Sequence, residues 1–214
     1  MKYKCIIFDC DGVLVDSETI TCKVIVEMAK SVGLDIDLGL AIKEFSGKSL
    51  HGIFAYIEER INIPLPEDFE PVYREKTYTA FKDEIQPIDG VHALLDRLTV
   101  PFCVASSGPI KKIKLNLTTT KLRDKFKDNI ISSFEIGSWK PEPGIFLHAA
   151  EKMGFKPNEC VVIEDSIYGV TAAKAGGFDV FAYVSDPNDT TFENLDVNVF
   201  HDMNLLDELL EKQS

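Results

Sequence analysis

CIIFDCDGVLVDSE, residues 5–18, joins two patterns that seldom meet. Cys5, Ile6, Ile7 and Phe8 form an apolar run without polar alternation, the pattern of a strand buried on both faces of a parallel sheet. Such a strand ordinarily ends in a glycine, a proline or a turn-forming pair. This one ends in carboxylates: Asp9, Asp11, Asp16 and Glu18. Residues two apart on an extended chain point the same way and lie roughly 6–7 Å apart, so Asp9 and Asp11 share a side with Cys10 opposite. At an effective dielectric near 20 their repulsion is about 2.5 kcal/mol, a large fraction of the stability of a small domain. Positive charge is therefore expected beside them.

Outward from this stretch, short apolar runs recur at Lys4–Phe8, Phe102–Ala105, Asn129–Ser132, Cys160–Ile163 and Val180–Val184, with helical patterns between most of them. That alternation predicts an α/β fold with a Rossmann-like parallel sheet flanked by helices. Residues 17–84 break the rhythm. Ile20, Val24, Ile25, Met28, Ala29 and Val32 recur at helical spacing up to Gly33, and further helices are expected over Leu38–Phe45, Leu50–Ile61 and Glu67–Phe81. The expectation is a catalytic core of residues 1–16 and 85–214 with an all-helical cap of residues 17–84 inserted after the first strand. Helices are also expected over Val91–Leu98, from about Pro143, and over Leu205–Lys212.

The 214 residues, 45% hydrophobic and 27% charged, suffice for one ordinary core and a smaller appended unit. With 35 acidic against 23 basic residues the net charge is −12, which argues against nucleic acid or an anionic membrane as partner. No apolar stretch approaches the roughly 20 residues needed to cross a bilayer. The N-terminus MKYKCIIFDC runs into a strand with no cleavage-site pattern. A cytoplasmic monomer acting on a small molecule is expected. Five scattered cysteines, at 5, 10, 22, 103 and 160, form no CxxC pair and read as buried thiols. Cys10 would be a poor nucleophile, because negative neighbours raise a thiol's pKa. His51, His92, His148 and His201 are isolated and receive no chemistry; His148, beside Phe146 and Leu147, is expected to pack in the core.

Open α/β sheets bind ligands beyond the carboxyl ends of their strands, which directs attention to the residues just past each run. Asp9 and Asp11 follow the first. Ser106, Ser107 and Gly108 follow the second, ahead of Pro109 at the start of a helix, and make a local anion site. Lys111, Lys112 and Lys114 come next and read equally as a solvated basic face or as a site for a second negative group. EIGSWKPEPGIF, residues 135–146, places Lys140 after the third run, and CVVIEDSIYGV, residues 160–170, delivers Glu164 and Asp165 after the fourth. Several carboxylates converging with one lysine suit a hard divalent ion, and Mg2+ takes one or two carboxylates, waters and phosphate oxygens. Such an ion answers the repulsion and lets a phosphate dianion approach. In-line attack by one carboxylate would give an aspartyl-phosphate, and the other could protonate the leaving group and later deprotonate water. Spacing alone does not say which aspartate takes which part.

DCDGVLVDSE, the SSG turn, the WKPEP lysine and the IEDS pair, in this order, resemble the four motifs of the haloacid dehalogenase superfamily, in its phosphatase branch and nearest the β-phosphoglucomutase-like subgroup. The resemblance covers nearly the whole chain and includes the helical insertion. It implies Asp9 as nucleophile and Mg2+ ligand, and Asp11 as general acid/base that lends the metal its backbone carbonyl. Ser106 and the Ser107 amide would bind the phosphoryl group, with Gly108 completing the turn. Lys140 would neutralise that group and orient Asp9. Asp165 would ligate Mg2+, with Glu164 supporting the metal, and Asp16 and Ser17 would fall at the hinge, where a helix N-cap is the expectation. The chain departs from the mutases, which resemble it through the first motif but carry a histidine where Thr21 stands, a Lys–Asn pair where Pro109 and Ile110 stand, and an arginine in place of Lys48. Lys48, in the polar loop Ser46–Ser49, could hold a second anionic group, though without arginine's bidentate fork. The dehalogenase branch lacks the second aspartate and the metal, against Asp11, Glu164 and Asp165. The resemblance thus implies a Mg2+-dependent phosphatase for a small phosphorylated metabolite, with 6-phosphogluconate one candidate; the alternatives are a phosphosugar mutase and a non-catalytic binding module. The last would have no reason to keep charges that cost stability without metal.

Overall fold

The apolar run that opens the chain becomes strand β1, Cys5–Phe8, in the interior of a six-stranded sheet. The computed structural model describes residues 2–45 and 48–212. After β1 come β2 (Val15–Asp16), helices α1 (Glu18–Ser31), α2 (Leu38–Phe45), α3 (Leu50–Ile61) and α4 (Phe69–Glu84), then β3 (Gln86–Pro87) and α5 (Val91–Arg97). The chain continues through β4 (Phe102–Ser106), α6 (Ile110–Thr119), α7 (Arg123–Phe126), β5 (Ile130–Ser132), α8 (Ser133–Ile136) and α9 (Gly144–Met153). It closes with β6 (Cys160–Glu164), α10 (Ile167–Ala175), β7 (Asp179–Tyr183), β8 (Asn198–Phe200) and α11 (Leu206–Lys212).

The sheet order is β5-β4-β1-β6-β7-β8, with every recorded neighbour pair parallel. The chain therefore leaves β1 toward β4 and β5 on one side and returns to β6 on the other. This reversal makes the carboxyl end of β1 a topological switch point, where the flanking connections diverge and open a crevice. Registers of Phe8 with Val104 and with Ile163 bring the ends of β4 and β6 alongside the end of β1. Burial of all four β1 residues explains their unbroken hydrophobicity. On one face Phe8 meets Phe102 and Phe126 edge to face; on the other Cys5 and Ile7 join Ile145, Phe146 and Ala149 of α9.

The chain divides into two compact units, one running to Val15 and resuming at Gln86, the other spanning Asp16–Ile85. The second unit is built from α1 to α4. Its core gathers Val24, Ile25 and Met28 of α1 with Ala41, Phe45, Ile57 and Tyr73, and Phe54 stands edge-on to Phe69 and Tyr73. Ser17 occupies the N-cap position of α1 but its hydroxyl makes no capping bond, so the expected side-chain cap is not formed.

Several boundaries differ from expectation for local reasons. Helix α4 starts at Phe69 because the Phe69 amide closes a turn on the Pro66 carbonyl, and it continues through the solvent-facing Lys82–Glu84. Strand β8 has no counterpart among the expected strands: its Asn198 and Val199 are exposed, so no apolar run marks it. His148 is exposed rather than packed, because α9 turns Ile145, Phe146, Ala149 and Ala150 inward and leaves Leu147 and His148 opposite. All five cysteines are free and buried. Among the described residues no helix is long and apolar enough to cross a membrane.

Candidate active site

The strand ends bring together Asp9, Glu164 and Asp165, each offering an oxygen within 4.8 Å of the others. Asp9 directly follows β1 and its amide donates to the Ile163 carbonyl at 2.9 Å, which fixes it against β6. It is only 6% exposed. Burial pushes its carboxyl up to about 7, opposed by Lys140 and reinforced by the negative charges of Glu164 and Asp11. The Lys140 ammonium donates to both Asp9 Oδ1 and Glu164 Oε1 and lies 5.1 Å from the centre of the Phe146 ring. Burial, the largest influence on Lys140, works against its charge, but Asp9 and Glu164 together override it and raise its pKa. Burial, then Asp11 and Asp9, also push the Cys10 thiol well up, so it is held protonated.

Glu164 is fully buried, and both of its oxygens are engaged. Oε1 accepts from Lys140, while Oε2 accepts from the Asp165 and Ser166 amides at 2.8 Å and from Ser166 Oγ at 2.9 Å. Ser166 Oγ in turn accepts from the Gly169 amide and caps α10. Two glycines leave room for this acid pair. A Cβ on Gly169 would stand 1.9 Å from Glu164 Cδ, and one on Gly12 would stand 1.8 Å from Asp165 Oδ2. Gly12 also has φ +79°, a left-handed conformation that favours glycine.

Asp11 turns elsewhere. Its Oδ1 accepts from Lys112 Nζ at 2.8 Å, and it stands outside the three-carboxylate group. Ser106 ends β4 almost fully buried, and its Oγ accepts from the Gly108 amide at 3.1 Å. Ser132, at the end of β5, donates its hydroxyl to the Gly108 carbonyl at 2.7 Å and ties the turn down. Ser106, Ser107 and Gly108 thus form a braced turn beside the acids, with Ser107 and Gly108 partly exposed. Helix α6 begins at Ile110 with Pro109 as its N-cap residue, one position earlier in role than the first helical residue expected of it.

Ser132 and Gly169 carry no motif of their own in the sequence, Gly12 and Ser166 stand inside DCDGVLVDSE and IEDS with no role assigned to them, and Lys112 reads there only as one of three basic residues. Lys112 had a legible signal: lysines at the start of a helix oppose its dipole, so Lys111 and Lys112 needed compensation from outside α6. Ser46 and Gly47 lie outside the described residues. Lys48 belongs to the helical unit, where its ammonium lies 3.7 Å from Glu44 and 5.5 Å from the centre of the Tyr56 ring. His92 and His201 bond backbone carbonyls of Thr120 and Val184.

Residues 3–177 match the model of the haloacid dehalogenase-like hydrolases. The chain belongs to this family. A 6-phosphogluconate phosphatase of Escherichia coli is 32% identical over 97% of this chain and 95% of its own, which places this haloacid dehalogenase-like hydrolase in the phosphatase branch. A conserved haloacid dehalogenase-like protein from Agrobacterium tumefaciens superposes with TM-score 0.88 at 30% identity, over 99% of both chains. A family hydrolase from Deinococcus radiodurans, solved with bound phosphate and sodium, gives TM-score 0.84 at 27% identity over 99% of this chain and 96% of its own. The hydrolase described here is thus an enzyme whose acidic cluster is able to hold a metal ion.

Proposed function

We propose that the enzyme is a Mg2+-dependent phosphatase that hydrolyses a small phosphorylated metabolite, a sugar phosphate or sugar-acid phosphate, through an aspartyl-phosphate on Asp9. The observation that carries this reading is the buried Asp9 carboxylate held by Lys140, in one cluster with Glu164 and Asp165 and beside the Ser106 turn. The donor set fits a hard dication: three carboxylates with one ammonium leave negative charge to balance, and every donor is oxygen. Asp9 and Asp165 would hold it with the Asp11 carbonyl, while Glu164, its oxygens already engaged, supports the site through Lys140 and the start of α10. When bound, Mg2+ would neutralise these acids and polarise a phosphoryl oxygen.

The residues divide the remaining work. The Ser106 hydroxyl and the Ser107 amide bind phosphoryl oxygens; the Gly108 amide is turned inward to Ser106. Lys140 orients Asp9 and adds positive charge. An Asp9 oxygen bonds to phosphorus as the ester P–O bond breaks, and Asp11 gives its proton to the departing oxygen. Asp11 then takes a proton from water as that water displaces Asp9 from phosphorus, releasing inorganic phosphate and restoring both carboxyl groups. Lys48 is assigned to a second anionic group of the substrate. The 6-phosphogluconate phosphatase relative makes that compound the first candidate substrate.

The test is turnover of p-nitrophenyl phosphate with and without Mg2+, followed by a panel of phosphorylated sugars, sugar acids, polyols and nucleotides. Mg2+-dependent phosphate release, with sugar or sugar-acid phosphates preferred, is the expected result. No release by folded protein in either condition would overturn the reading. β-Glucose 1-phosphate with traces of the bisphosphate separates it from a mutase, which would yield glucose 6-phosphate faster than free phosphate.

A further inference from the structure

Lys112 sits on the third residue of α6, and side chains in a helix tilt toward its N-terminus, so its stem runs back over the turn that precedes the helix. A Cβ built on Gly108 would stand 3.4 Å from Ser106 Oγ, 3.5 Å from Lys112 Cδ and 3.9 Å from Asp11 Oδ2. The proposed phosphate-binding hydroxyl, the lysine stem and the second oxygen of Asp11 therefore converge on one glycine. Lys112 Nζ bonds the other oxygen, Oδ1, and the pair is only partly exposed.

We propose that Lys112 is a positioning residue for the general acid/base: by binding Asp11 Oδ1 it turns Oδ2 toward the Ser106–Gly108 turn, where the leaving oxygen of the substrate departs. This rests on the phosphatase reading above. During transfer the proton on Asp11 Oδ2 passes to the ester oxygen as its bond to phosphorus breaks, and Lys112 keeps its own protons throughout. Lys112 and Lys140 thereby divide the two aspartates between them. Lys140 serves the attacking carboxylate and Lys112 the proton-donating one.

The consequence is a dependence on the leaving group. p-Nitrophenolate departs with little help from an acid, whereas phenolate, being more basic, needs the proton. Lys112→Met keeps the apolar stem over Gly108 and removes the ammonium; Lys112→Arg restores a donor. With Mg2+, Lys112→Met is expected to lower kcat/KM for phenyl phosphate about tenfold or more and for p-nitrophenyl phosphate less than about threefold, a share of what acid catalysis usually contributes. Lys112→Arg should recover much of the loss on phenyl phosphate. Mg2+ affinity measured by calorimetry should change less than about threefold in either variant, since Lys112 binds the partly solvated Asp11 carboxylate and not the backbone carbonyl assigned to the metal. Equal losses on both substrates, a matching rise in KM on both, or a larger change in Mg2+ affinity would overturn the assignment. Wild-type protein inert toward both esters would overturn the phosphatase reading and this role with it; turnover with equal losses would overturn this role alone.

Discussion

Asp9 and Asp11 are two residues apart, carry the same charge and each meet a lysine, yet the two pairs live in different surroundings. The side chains of Asp9 and Lys140 are 8% and 6% exposed; those of Asp11 and Lys112 are 26% and 20% exposed. Lys140 must also serve the fully buried Glu164, so on that side one ammonium faces two carboxylates away from water. The raised pKa of Asp9 is the result: burial penalises its charge, and Lys140 offsets only part of that. On the other side solvent shares the load. The repulsion between neighbouring aspartates is therefore met by splitting them between two cations, and the buried half is still left short of positive charge. That shortage is what the proposed dication would make good.

The largest contrast should come from removing Lys140. In Lys140→Met the Asp9 and Glu164 carboxylates lose their shared ammonium, and breaking a buried pair from one side costs about 3–5 kcal/mol. Urea unfolding of metal-free protein at pH 8 should show that loss, together with abolished turnover. A change below about 1 kcal/mol, the worth of an exposed pair, would break the distinction between the two halves.

Removing Asp9 should act in the opposite direction. Its folded pKa of about 7 stands above the ordinary carboxylate value of 3.8, so between those limits the folded protein holds a proton that the unfolded chain has released. Metal-free stability therefore falls as pH rises through that window, by roughly 2–4 kcal/mol in all and by no more than about 1.4 kcal/mol for each step of one in pH, and levels off above it. Asp9→Asn keeps an oxygen for Lys140 and should remove most of this fall, leaving the metal-free variant more stable than wild type at pH 8 and without turnover. Unfolding curves from pH 4 to 8 for both proteins check it. A wild-type curve that rises across the window would show the burial of Asp9 to be compensated by other groups. Retained turnover in the variant would exclude Asp9 as the nucleophile.

The buried half was the more legible from sequence. Asp9, Ser106, Glu164 and Asp165 each close or directly follow an apolar run, and a parallel sheet delivers such positions to one edge whatever else the chain does. Lys140 stands in a loop rather than at a strand end, and it was legible as the one cation following an apolar run amid the acids, a reading the WKPEP resemblance strengthened. On the half-exposed side Asp11 was read as a site residue, while Lys112 offered only the dipole mismatch it shares with Lys111. Lys111, Lys112 and Lys114 look like a solvated helix face, and only the path of its stem back over Gly108 sets Lys112 apart from its neighbours. Gly12 and Gly169 were hidden for a related reason. What excludes a side chain there is an acid at or just past the end of β6, and no apolar period or turn signal encodes that approach. The short edge strand β8 escaped because its exposed residues have no apolar period to read.

The smallest expected effect is the most exacting test of the contrast between the two pairs. Lys112→Met is the same residue change as Lys140→Met in the same compact unit, but it takes the cation from one carboxylate rather than two. Asp11 keeps access to water, and the methionine retains most of the stem that covers Gly108, so neither an orphaned buried charge nor a cavity results. Metal-free stability should then change by less than about 1 kcal/mol, the range for partly solvated pairs. Thermal and urea unfolding of the two variants side by side, at pH 8 and at two salt concentrations, measure the contrast directly. Added salt should shrink the Lys112 effect and leave the Lys140 effect nearly untouched, because screening acts on charges that water reaches. If Lys112→Met proves as costly as Lys140→Met and as insensitive to salt, Asp11 is as deeply committed as Asp9, and burial is not what separates the proposed nucleophile from the proposed proton donor.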